Sequence, residues 1–185
     1  MKHFFFIACL FFGMAGSLLA VNPDLAERLR KEKKCQKCDL QYSNWQQADL
    51  VGAELSGAIL YKTQMQGAKL AGSHLVWTNL EQADLTSADL TKADMTGADL
   101  RQTVLTQAKL VKAYLYGANM AGAKADGADF SGAFLKGVNL TGADLRASTL
   151  LGANLDRAVL TDALLGGAIW TDGRKCQPEA KSTCP

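Results

Sequence analysis

"QADLTSADLTKADMTGADL", residues 82–100, decides the fold. A Leu or Met returns at every fifth position, and an Ala stands two residues before each one. Neither a helix, at about 3.6 residues per turn, nor a flat strand, at period two, repeats every five residues. On an extended segment residues two apart share a face, so the Ala and the larger centre after it point the same way. From a centre to the next Ala is three steps, which on a straight strand turns the side chain outward. Keeping both inside requires a corner in every unit. Corners repeated in one sense coil the chain into a solenoid, each coil burying its leucine layer against the next.

The register runs far beyond this stretch. Centres fall on every fifth residue from 40 to 170, giving 27 units without an insertion. Leu predominates; the other centres include Trp45, Met120, Ala125, Phe130 and Trp170. Glycines after many centres, such as Gly52, Gly97 and Gly142, supply backbone freedom for the corners. "ADLTS" (83–87), "ANMAG" (118–122) and "ANLDR" (153–157) follow the pattern A-(D/N)-L-x-x. In this the chain resembles the pentapeptide-repeat proteins, over residues 38–172. The resemblance implies an all-β fold, a right-handed quadrilateral β-helix with four units per coil. The 27 units then make about 6.75 coils. At about 4.8 Å per coil the tower is roughly 32 Å tall. Ala125, the one small centre, would share its coil with Met120 and Phe130, whose bulk fills the space a missing leucine leaves.

Sequence outside the repeats divides the chain further. Residues 1–20, "MKHFFFIACLFFGMAGSLLA", have a basic start, an apolar run from Phe4 to Phe12 and small residues up to Ala20. That layout reads as a signal peptide, giving a periplasmic or secreted protein with no membrane insertion once the signal is removed. A short capping helix is expected within 21–35, with Asn22 as N-cap and Pro23 in the first turn. Leu25, Ala26 and Leu29 form its apolar stripe, with Asp24–Arg28 and Glu27–Lys31 as i,i+4 pairs on the wet side. The β-helix occupies 36–172 and a C-terminal tail 173–185.

Four cysteines remain beyond Cys9: Cys35, Cys38, Cys176 and Cys184. An even number in an exported chain predicts two disulfides, with three connectivities open. In a tower the two pairs lie at opposite ends, so Cys35 is expected to join Cys38, and Cys176 to join Cys184 in a loop over the last coil. The same separation prevents the four from sharing a metal. Cys35-Gln36-Lys37-Cys38 is a CxxC, but no βαβ pattern surrounds it, which favours a structural disulfide over a redox site.

No nucleophile–base set or metal-ligand cluster stands at a recognisable spacing, so neither an enzyme nor a cofactor is expected. Under the four-unit coil Asp49, Lys69, Asp89, Lys109 and Asp129 stack on one side with alternating sign, a ladder that avoids like-charge neighbours. Another side gathers His74, Trp77, Tyr114, Tyr116 and Phe134 as a candidate partner site. Val159, Leu164 and Ile169 occupy outward positions of the last coil, which predicts either cover by the tail or a homodimer interface.

These features favour a non-enzymatic exported scaffold for an unidentified protein partner. Some pentapeptide-repeat proteins mimic duplex DNA and bind topoisomerases, but that needs a strongly negative tower. Residues 36–172 carry 14 acids against 11 bases, a net of −3. Binding of nucleic acid itself would need a basic stripe, which is missing. A secreted effector acting on another cell is compatible with the sequence.

Overall fold

The computed structural model describes residues 23–184. The expected signal peptide and Asn22 lie outside the described residues.

From residue 34 onward the chain climbs in coils of twenty residues. Each residue before a centre pairs in parallel with its counterpart one coil later: Lys34 with Glu54, Glu54 with His74, and so on to Thr149 with Ile169. Twenty residues per turn and five per unit make four sides. The β structure is one bridged residue per side between corners, with no longer strand among the described residues.

A single unit accounts for all its amides. Asp89 N–H donates down to Ala68 O (2.9 Å), and Leu90 N–H up to Lys109 O (2.7 Å). Lys92 N–H donates up to Val111 O (2.9 Å), and Ala93 N–H closes the corner onto Leu90 O (3.0 Å). That leaves the Thr91 amide, which Asp89 Oδ1 accepts at 3.0 Å. The Asp or Asn before a centre is therefore a corner cap, repeated at Asp39, Asn79, Asp99, Asn119 and Asn139 among others. The third corner residue has positive φ whether it is Gly97 (65°) or Lys92 (58°), the mark of a type II turn.

Centres and small residues fill the interior. Met120, Ala125, Phe130 and Leu135 form one layer, all essentially buried. Six inward positions carry a hydroxyl. Thr63 and Ser148 donate to carbonyls of their own corners, whereas Thr78 and Thr103 reach Leu55 O (3.1 Å) and Leu80 O (2.9 Å) in the coil below. Ser73 Oγ is buried with no hydrogen-bond partner among the described residues.

Helix α1, Pro23–Glu32, closes the lower end. It ends at Glu32, three residues before the limit of the expected 21–35 segment, where Lys33 turns into the left-handed region (φ 55°) with its amide on Leu29 O. Leu29 is fully buried, and Leu25 and Ala26 pack against the core. Lys31 pairs with Glu27 at 2.8 Å, while Arg28 Nε donates to Lys34 O at 3.1 Å. The Arg30 guanidinium lies over the Trp45 ring.

The repeat also starts one unit before residue 36. Cys35 takes a fully buried centre position and Cys38 the small inward one, so their disulfide (Cα–Cα 5.3 Å) spans a corner. At the other end Cys176 joins Cys184 (Cα–Cα 5.0 Å). The tail doubles back antiparallel along two sides of the last coil, pairing Ile169 with Lys175 and Leu164 with Lys181. Gly166 lies so close beneath it that a Cβ there would stand 2.1 Å from Pro178 O.

Candidate functional site

Sequence and structure agree on which residues share a side, and differ on what their side chains do. Asp49, Lys69, Asp89, Lys109 and Asp129 do stack in successive coils. They do not form an ion-pair ladder. Of the five, only Asp49 is in an ion pair among the described residues, and its partner is Lys33 (3.2 Å) from the lower end. Asp89 and Asp129 instead turn onto the amides of Thr91 and Ser131. A fixed cap two residues away costs a short side chain less entropy than reaching a mobile lysine one coil off.

The aromatic candidates separate in a similar way. His74, Asp94, Tyr114 and Phe134 form one column. The Tyr114 and Phe134 rings are stacked, 4.9 Å between centroids and 2° from parallel. Tyr116 leans onto both, at 6.4 and 5.8 Å. These three make a contiguous patch, and Tyr114 is 40% exposed. His74 stands two coils below Tyr114 with Asp94 between them, outside the patch. Trp77 projects from the adjoining corner and is 73% exposed.

The patch replaces corner caps. At Asp94 both the amide and the hydroxyl of Thr96 donate to Oδ1, at 3.0 and 2.7 Å. Tyr114 and Phe134 offer no such oxygen, and the amides of Tyr116 and Lys136 have no acceptor among the described residues. Lys92 and Lys112 occupy the corner on the patch's other flank, one coil apart, with no ion pair among the described residues.

Of the three apolar residues on the last coil, Leu164 and Ile169 are half-buried beneath the tail, and Val159 stays 46% exposed. Among the described residues no group of three or more His, Cys, Asp or Glu is placed to hold a metal ion.

The family model for pentapeptide repeats matches residues 34–72, 63–102, 98–137 and 139–169. The chain belongs to the pentapeptide-repeat family. Its coil of four units is the quadrilateral form of that family's right-handed β-helix. Similar solved structures include HetL, a pentapeptide-repeat protein involved in heterocyst differentiation regulation from Nostoc sp. strain PCC 7120. It is 27% identical, with 82% of this chain and 97% of that one covered at a TM-score of 0.34. Rfr23 from Cyanothece 51142 is 25% identical, over 76% of this chain and 92% of that one, at a TM-score of 0.32. Full-length QnrB1, a plasmid-mediated fluoroquinolone resistance protein, is 15% identical, over 78% and 92%, at 0.32. No curated protein matches the chain.

Proposed function

We propose that this pentapeptide-repeat protein is a non-enzymatic scaffold, exported to the periplasm or beyond the cell, that binds a protein through the face bearing Tyr114, Tyr116 and Phe134. The stack of exposed Tyr114 on half-buried Phe134 carries the reading. Large rings already held by one another lose little entropy on binding, and aromatic residues dominate interface energetics. Trp77 and His74 extend the face below the patch. Export rests on the signal-like residues 1–20 and on two disulfides, which persist in oxidising compartments. A repeat body of net −3 speaks against a DNA mimic acting on topoisomerases. A secreted effector would use the same face on a host protein.

The test is capture from the periplasmic fraction by the tower, compared with Tyr114→Ser/Phe134→Ser and Lys69→Ser/Lys109→Ser. Loss of the partner only with the aromatic pair is expected. Loss only with the lysine pair would assign binding to the wrong side.

A homodimer through the C-terminal end is a second reading. The tail covers two sides of the last coil, and on the other two the amides of Leu155, Arg157 and Leu160 have no acceptor among the described residues. A second copy pairing along this edge would satisfy them and bury Val159. Sedimentation should show a dimer that Val159→Lys dissociates; a monomer at all concentrations refutes it.

A further inference from the structure

We infer that the partner's contact segment is acidic, with Asp or Glu carboxylates seated among Lys92, Lys112 and the uncapped amides of Tyr116 and Lys136, beside the Tyr114–Phe134 stack. The inference rests on the reading of the aromatic face as a protein-binding site and names the chemistry of what it binds.

Three features point the same way. Lys92 and Lys112 hold the same corner in successive coils, joined by Lys92 N–H to Val111 O at 2.9 Å. Like charges stacked one coil apart repel. Both lysines also sit in the left-handed region, φ 58° and 55°, which disfavours a residue with a Cβ. No carboxylate of the described chain pairs with either, so both ammonium groups are available to an anion from outside.

The second feature is the missing caps. On this side Asp94 and Asn154 accept the corner amides of Thr96 and Asp156, whereas Glu54 and His74 lower in the column leave theirs without an acceptor among the described residues. In the two coils between Asp94 and Asn154 a ring stands in the cap's place. Two amide hydrogens, one coil apart, are left for an incoming acceptor.

The third is the ring geometry. Tyr114 and Phe134 each cover one face of the other, which leaves the ring edges outside the stack. The edge is the positive end of the aromatic quadrupole. Ring edges, ammonium groups and amide hydrogens therefore present one sign to a ligand. Asp94, the nearest carboxylate in the column, is engaged by Thr96.

The test uses the full folded chain labelled with nitrogen-15 and three probes: a short peptide of alternating Glu and Leu, its Lys–Leu counterpart, and oligogalacturonate as an acidic glycan. The Glu–Leu peptide alone should shift the amide signals of Tyr116 and Lys136. Its affinity should fall at least tenfold in Lys92→Gln/Lys112→Gln. That variant keeps the corners, since Gln102 and Gln107 already adopt the same left-handed conformation. Tyr114→Asn/Phe134→Asn should also abolish the shift, because Asn caps the amides internally, as Asn119 and Asn139 do on the neighbouring side. No shift, an equal shift with the Lys–Leu peptide, or a shift with the glycan alone overturns the inference. If the acidic peptide fails while the aromatic variant still loses the captured partner, the acidic class is wrong and the binding face stands. If both fail, both readings fall.

Discussion

The indole of Trp77 lies flat across Gly97, its counterpart one coil higher; a Cβ at Gly97 would stand 2.5 Å from two ring carbons. Lys37 over Gly57 and Lys112 over Gly132 repeat the relation with flexible stems, at 3.3 and 3.4 Å. A long side chain at a left-handed corner therefore leans up over the next coil, and a glycine there gives it a floor. Gly97→Ala should push the indole off the corner and cost roughly 1–2 kcal/mol for a left-handed alanine. Fluorescence quenching of Trp77, isolated by subtracting a Trp77→Phe variant, should rise; unchanged quenching would show that the ring does not rest on Gly97.

Ser73 should be a stabilising target. Its hydroxyl is fully buried without a partner among the described residues, whereas Thr78 at the next small inward position bonds Leu55 O. Ser73→Ala removes an unsatisfied group and should raise stability by about 1 kcal/mol, while Thr78→Ala should lower it by a similar amount. Chemical denaturation of the two variants checks the opposite signs.

Acid should weaken the tower. The Arg146 side chain holds Asp144 below the ordinary carboxylate range, and the Val51 amide, then Lys33, does so for Asp49. At Asp99 burial pushes upward, but hydrogen bonds from Arg101 outweigh it and the net shift is downward. Carboxyls depressed in the folded state contribute stability above their unfolded pKa, near 3.9, and lose it as pH falls through the lower folded values. Melting temperatures should drop below about pH 4. Asp144→Asn keeps the corner cap without the titrating charge, so its decline should be shallower than that of the parent; an identical decline would remove Asp144 as a cause.

Leu105 is fully buried at a centre. Leu105→Asp places an unpaired charge inside a packed layer and should cost more than about 4 kcal/mol or prevent folding. A thermal melt unchanged from the parent would mean that the centre does not point inward.

What the sequence determined by itself was which side chains point inward and that every unit turns a corner. Side chains on a period-five chain have no choice of face once both apolar positions must be buried. With four units per coil, which the family resemblance implied, Asp49 stacks under Lys69 and Tyr114 under Phe134. The sequence did not reveal that the Asp before a centre serves its own corner amide, although the recurrence of Asp and Asn there was visible. Recognising that required knowing which of the five amides the coils leave over. Nor did it tell which exposed rings meet: Tyr116 joins the patch because its ring leans back over Tyr114, whereas Trp77 leans up over Gly97 and His74 is cut off by Asp94. The half-covered last coil was equally out of reach, since the path of the tail depends on contacts such as Gly166 against Pro178. Register is set by burial, which a one-dimensional pattern encodes. Side-chain direction at the surface is set by competition between neighbours from different coils, and only the folded tower brings those neighbours together.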